Sequence, residues 1–343
     1  MSARVVVTGL GVVSPAGVGC EALRGPGPRA GEGPASTPFD AAAILGPKGL
    51  RLLDRATLMT MVAGHLALEQ AGLLDRAPAW AGMRAPGIVL GTSFGSLASI
   101  TGYVKTRLAQ GAAALNPSLF PNTVINSPAS QCAIRFGLRT LCTTLAAGWA
   151  SGAEAISYAA DALRRGRADI VLAGGVEEAS ADNLLVYADL GLDPPAGFGE
   201  GAALLVLERE TAALERGAAP LAELAGCGSG FAGDGPLSAA LARAVAEVGL
   251  PSVDLLITGG NGSPDLDDAE HEVFAGCAAP RVALKERLGE CDGAGAALAA
   301  AFGVLACSRR AASGYDTEVE AALVSAPSYT GHAAALGFKR WDG

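Results

Sequence analysis

Aromatic side chains are scarce in this chain, at 5% of 343 residues, and charged ones make up only 17%. A core short of rings must close on small side chains and near-contact of backbones, and the 47 glycines supply that. No Cys-x-x-Cys pair occurs, and the seven cysteines (Cys20, Cys132, Cys142, Cys227, Cys277, Cys291 and Cys307) are odd in number. Neither a disulfide framework nor a zinc site is suggested by that pattern. No uninterrupted apolar run reaches the roughly 18 residues a membrane helix needs, and no signal segment precedes the first strand, so a soluble, cytosolic protein is expected. A basic excess is missing too. Thirty-four acidic residues face 25 lysines and arginines, giving a net charge of -9, which argues against nucleic acid and anionic membrane as partners.

What is present is a large apolar fraction, 50%, in a chain long enough for one large domain or two fused smaller ones. Arg4–Val13 is a β-branched run ending among glycines and reads as a buried strand. Residues 20–48 read as loop, and Leu50–Leu73 has helical periodicity. Further strands are predicted at Gly87–Gly91, Arg139–Ala146, Asp169–Gly175, Ala202–Glu208, Val253–Thr258 and Val319–Ser325. Helices are predicted at Ser96–Leu108, Ser151–Arg165, Leu237–Val248 and Gly293–Ala306. This alternation implies a layered α/β fold with a buried sheet, the second half repeating the logic of the first. No nucleotide or metal motif is visible, and the glycine-rich turns at Gly9–Gly11 and Gly91–Gly95 lack the G-x-G-x-x-G context.

Five stretches in chain order carry a resemblance: VVVTGLGVVSPAG at Val5–Gly17, ASGAEAISYAADALRRGRADIVLAGGVEE at Ala150–Glu178, GEGAALLVLE at Gly199–Glu208 with RGA at Arg216–Ala218, GNGSPDLDDAE at Gly260–Glu270, and LKERLGECDGAGAAL at Leu284–Leu298. Together they resemble the β-ketoacyl synthase branch of the thiolase superfamily. The resemblance implies the five-layered αβαβα fold, two related halves (1–218 and 219–343) and a dimer.

A working ketosynthase needs a cysteine nucleophile at a helix N-terminus and two histidines that stabilise the enolate formed on decarboxylation. By resemblance the cysteine position is Trp149, whose indole is a hydrogen-bond donor only. The first histidine falls on Asn261, with Asp268 and Glu270 following, and the second on Glu290, after Leu288-Gly289. Lys285 matches the family lysine, while Pro327–His332 reads PSYTGH where a glycine-rich gate loop is expected. The connection from Glu178 to Gly199 is compressed, which the resemblance reads as loss of an active-site wall.

A retained scaffold without its chemistry resembles the chain length factors, the β subunits of type II polyketide synthases. The resemblance implies a heterodimer with an active ketosynthase α subunit, an acyl carrier protein as partner of the complex, and an acyl tunnel whose length this chain sets by steric bulk. It implies no cofactor of this chain's own, since the acyl chain arrives on the carrier's phosphopantetheine. Leu97, Ile100 and Val104 share one helix face and are the gate candidates, with Phe94, Leu119 and Phe120 beside them. Their aliphatic character suggests a slender, reduced or polyene chain. Thr140, Cys142 and Thr144 lie on the strand expected to pair with its partner's equivalent across the dimer.

Plainer readings stand beside these. Trp149 is a pocket plug or an ordinary core residue. Leu97, Ile100 and Val104 are gate or core. Cys142 is a small buried hydrophobe or a relocated nucleophile. His65 and His271 read as surface or satisfied core histidines on helices, and His332 as a loop residue or a displaced catalytic group. Lys285 and Glu290 form an internal pair at the old site or an ordinary solvated or structural one. The competing function is a stand-alone acyltransferase or malonyl-carrier decarboxylase using a displaced residue.

Overall fold

The computed structural model describes residues 3–24, 37–194, 196–308 and 318–343. The expected loop at 20–48 lies partly outside them; its described parts hold a turn of 3-10 helix at Cys20–Leu23 and a short helix, α1 (Ala41–Leu45). Strand β1 (Val5–Ser14) is buried along its whole length, as its apolar run predicts. The strands that follow are β2 (Gly17–Val18), β3 (Gly87–Gly91), β4 (Cys142–Leu145), β5 (Ile170–Glu177) and β6 (Gly201–Arg209). The second half supplies β7 (Ala222–Phe231), β8 (Leu255–Thr258), β9 (Arg281–Ala283), β10 (Ala321–Pro327) and β11 (His332–Lys339).

Their hydrogen-bonded order is β4-β3-β5-β6-β1-β7-β11-β10-β8-β9, with β2 added on β1. Outward from the antiparallel β1–β7 contact, the two sides have the same plan: two antiparallel neighbours, then two parallel ones. The pattern of parallel and antiparallel pairs is thus mirrored about the centre.

The helices are α2 (Arg55–Gln70), α3 (Leu97–Gln110), α4 (Ser127–Phe136), α5 (Ser151–Arg164), α6 (Ala181–Asp189), α7 (Glu210–Glu215), α8 (Leu237–Val248), α9 (Pro264–Val273), α10 (Lys285–Leu288) and α11 (Gly295–Cys307). Helices α2 and α4 cover one outer face and α8 and α9 the other, while α5 and α11 pack on each other between the halves of the sheet. That is the expected five-layered αβαβα order. The middle layer explains the composition: all thirteen residues of α11 are buried, so it carries no polar stripe. Where α5 meets α11, a Cβ on Gly152 would sit 2.9 Å from the Ala297 Cβ, so only glycine lets the helices come this close.

Strand β4 is shorter than the run Arg139–Ala146 predicts. The Arg139 and Thr140 amides donate to the Pro86 carbonyl, and pairing with β3 begins only at Cys142. Strand β7 escaped the apolar pattern because Gly226, Gly228 and Gly230 occupy alternate positions. A Cβ at any of them would meet a carbonyl of α8 within 2.3 Å. Helix packing there selects glycine, and glycine hides the strand from a propensity reading. Helix α4 also escaped; Pro128 sits at its start and Gly137, at φ 67°, stops it.

Candidate functional site: a sealed ketosynthase-like centre

Chain order separates Trp149, Asn261, Lys285 and Glu290, and the fold brings them together. Trp149 sits where the chain leaves the Ala147–Gly148 turn after β4 and enters α5, and it is fully buried. Its backbone amide donates to Ser328 Oγ at 3.0 Å. The ring of Tyr329 meets the indole edge to face at a centroid distance of 5.1 Å. Tyr187 and Leu266 complete the buried cluster around it, with Phe94, Leu192, Phe198 and Leu237 packed against them.

Leu192, Tyr187 and Phe198 all come from the compressed connection between Glu178 and Gly199. The expectation that this wall is lost is therefore corrected: the short connection still walls the site, using α6 and three large side chains.

On the other side of the indole, Lys285 Nζ lies 5.3 Å from the ring centroid and 2.7 Å from Glu290 Oε2. Asn261 Nδ2 donates to the same oxygen at 2.7 Å, and the Asp292 amide donates to Oε1 at 2.9 Å. Asn261 is held by Ser263 N on its Oδ1 and places its own amide on Asp267. Lys285 and Glu290 thus form an internal pair rather than a solvated one: their side chains are 8% and 0% exposed. Every Glu290 oxygen is occupied, and the network leaves no histidine or thiol at these positions. The cavity beneath, lined by Trp149, Lys285, Leu288, Gly295 and Ser325 among others, holds only about 10 Å³.

The loop Pro327–His332 closes over the same point. Ser328 Oγ and Thr330 Oγ1 lie 2.9 Å apart, Thr330 Oγ1 reaches the Ala147 carbonyl at 3.3 Å, and His332 Nδ1 lies 3.1 Å from Thr330 Oγ1. The ring of His332 tilts on Phe231.

The gate candidates lie outside this centre. Helix α3 contains no buried residue, so the reading of Leu97, Ile100 and Val104 as core is corrected: Leu97 and Ile100 are half-buried and Val104 is exposed. Phe94 joins α3 to the Trp149 cluster through an edge contact with Tyr187 at 5.6 Å. Leu119 and Phe120 are exposed, and Phe120 meets Tyr103 of α3. Among the described residues, strand β4 is the end of the sheet, with β3 as its one neighbour. Cys142 is exposed there, which corrects the buried reading of this residue. Burial of its surroundings still pushes the thiol above its ordinary range, the wrong direction for a nucleophile. Thr140 and Thr144 are half-buried on the same segment. His65 is half-buried on α2, where burial lowers its pKa, and His271 is exposed on α9.

Sequence reading missed a second buried polar group. Glu177, at the end of β5, accepts from Ser93 N at 2.6 Å, Thr92 Oγ1 at 3.1 Å and Phe94 N at 3.2 Å. Ser93 Oγ donates to Asp292 Oδ1. Burial and the neighbouring Asp292 hold Glu177 well above the usual carboxylate range, and burial pushes Asp292 up to about 7. The available signal was two acids, Glu177 and Glu178, closing an otherwise apolar buried strand. Among the described residues no three His, Cys, Asp or Glu side chains group as a metal centre, and no helix is long and apolar enough to cross a membrane.

Comparison with known proteins agrees with this geometry. The family model for the β-ketoacyl synthase N-terminal domain matches residues 29–213. A putative polyketide β-ketoacyl synthase 2 of Streptomyces halstedii is 32% identical over 81% of this chain and 77% of its own length. The tetracenomycin polyketide synthase ketoacyl synthase β subunit of Streptomyces glaucescens is 31% identical over 88% of this chain and 85% of its own. Among solved structures, the ishigamide ketosynthase/chain length factor superposes with a TM-score of 0.84 at 24% identity, covering 99% of this chain and all of that one. A β-ketoacyl synthase from Burkholderia phymatum gives 0.81 at 24% identity over the same shares. The chain belongs to the β-ketoacyl synthase family.

Proposed function

We propose that this chain is a non-catalytic chain length factor that pairs with an active β-ketoacyl-carrier-protein synthase and shapes the tunnel in which the acyl chain grows. The carrying observation is Trp149: a fully buried indole stands at the N-terminus of α5, the position where the family's nucleophile belongs. An indole cannot attack a thioester. The groups that would polarise the malonyl carbonyl are replaced by Asn261 and Glu290, which are bonded to each other, Glu290 also to Lys285.

The surface supports a partner. Val104, Leu119, Phe120, Val124, Ile125 and Ile134 are exposed apolar residues on α3, the segment after it and α4. These elements contact one another in series and lead to β4, whose outer edge is unpaired among the described residues. An apolar patch beside an open strand edge marks an interface. One neighbour with the same fold is the ishigamide ketosynthase/chain length factor, and a further fold neighbour is a ketosynthase in complex with its acyl carrier protein. In that setting Leu97, Ile100 and Val104 would face the tunnel, and the carrier would deliver its chain to the α subunit.

The test is to offer malonyl- and acyl-carrier thioesters to the isolated chain. The proposal expects neither decarboxylation nor acyl-enzyme; turnover by the isolated chain contradicts it.

A further inference from the structure

Three buried polar atoms close to the sealed centre have no hydrogen-bond partner: Asp292 Oδ2, the Tyr187 hydroxyl and Asn183 Nδ2. They come from two separate places in the chain, one turn of α6 and the start of the segment before α11, and all three residues line one cavity of about 10 Å³ together with Glu177. The residues are 2%, 2% and 3% exposed, so bulk water does not satisfy them. Each unsatisfied group costs about 1–3 kcal/mol, and three converging on one small space point to an occupant.

Charge narrows the choice. Glu177 and Asp292 are both buried, and among the described residues neither has a cationic side chain as ion-pair partner. The nearby cations are committed elsewhere: Lys285 to Glu290 and Arg55 to Glu200. Water would complete the hydrogen bonds but compensate no charge beyond the one a proton on Glu177 removes. Size narrows it further, because the cavity admits a single water-sized atom. Magnesium keeps several of its waters, and calcium takes roughly six to eight oxygens, more than this cavity offers.

The donors suit an alkali ion. Tyr187 is fixed by stacking on Phe198 at 4.3 Å and by the edge of Phe94, so its hydroxyl oxygen has a defined position. Asn183 is held through Ser180 Oγ. A half-turn of the amide makes that hydroxyl the acceptor and presents Oδ1 to the cavity. We infer that Asp292, Tyr187, Asn183 and Glu177 form an oxygen-lined site for one dehydrated monovalent alkali cation, which offsets one negative charge of the buried carboxylate pair and braces the Ser93 turn against α6. This site is independent of whether the chain condenses, gates or pairs.

The experiment unfolds the full chain by heat in buffers of equal ionic strength made with sodium, potassium, rubidium or choline chloride. The expected result is a saturable rise in Tm of several degrees with one alkali ion over choline. Asp292→Asn and Tyr187→Phe each lose that ion-specific rise, whatever their own Tm. Should Asp292→Asn not fold, Tyr187→Phe, which removes one oxygen and no charge, carries the same comparison. Superimposable curves in all four salts mean that the cavity holds only water or a proton, and overturn the inference. So does an ion-specific rise that survives in the variants. Anomalous scattering from rubidium-soaked crystals gives the second readout: a peak at Asp292 Oδ2 supports the site, and none there overturns it.

Discussion

Lys285 Nζ lies 2.7 Å from Glu290 Oε2, and the pair is shut beneath the Trp149 ring with almost no exposure. A buried pair of this kind is costly to break from one side, because the remaining charge stays where water cannot reach it. Lys285→Met or Glu290→Gln alone is expected to lower stability by about 3–5 kcal/mol. The double variant should recover a good part of that loss. Urea unfolding of the four proteins checks this, and additive losses would mean that the pair is not a unit.

Trp149 is expected to act as filling. Trp149→Ala removes a fully buried indole and should cost about 3–5 kcal/mol through the cavity it leaves. Trp149→Cys should become open to alkylation at the α5 N-terminus and still fail to condense, since Asn261 and Glu290 remain bonded to each other. Thiol labelling beside a carrier-thioester assay separates the two effects; condensation by Trp149→Cys would mean that Asn261 and Glu290 are not the missing groups.

Product length should follow the bulk on α3. Ile100→Phe and Leu97→Phe narrow the proposed tunnel and should shorten the polyketide made by the complex, while Ile100→Ala and Leu97→Ala should lengthen it. Mass spectrometry of the products reads this directly. An unchanged length in all four variants removes the gate assignment and leaves α3 as interface alone.

Pairing should fail when the sheet edge carries charge. Cys142→Glu and Ile134→Glu change exposed residues on β4 and α4, so the chain itself should stay folded. The pair with the ketosynthase should weaken sharply, because a buried, unpaired carboxylate would face the partner. Gel filtration at matched concentration, with circular dichroism as control, tests it.

Glu154, which accepts a hydrogen bond from Ser229 Oγ, is held above the usual carboxylate range mainly by burial. The folded state therefore keeps its proton longer than the unfolded chain does. The contribution is fully present below the unfolded pKa of about 4.3 and is lost as pH rises through the elevated folded value. Glu154→Gln should flatten the stability profile between those two values. Unchanged slopes in denaturant titrations from pH 4 to 7 would contradict this.

Much of the architecture was legible because β1, β3, β5 and β6 are apolar or β-branched throughout, and α5 and α8 carry clear stripes. The four positions around Trp149 were legible through motif order, since the flanking glycines and Lys285 survive. What escaped has local physical causes. Alternate glycines leave β7 without an apolar run, because α8 packs against that bare edge. Cys142 read as buried because the strand run around it is apolar, yet it stands on a sheet edge that only tertiary order reveals. The Glu177–Asp292 group joins residues more than a hundred positions apart through Ser93, and no spacing rule links them.

The most direct test of the account is the native mass of the tagged chain purified from the cells that make it. A one-to-one complex with a ketosynthase that retains its cysteine and both histidines is expected. A lone monomer or homodimer, especially one that takes up an acyl group from a thioester, would contradict it.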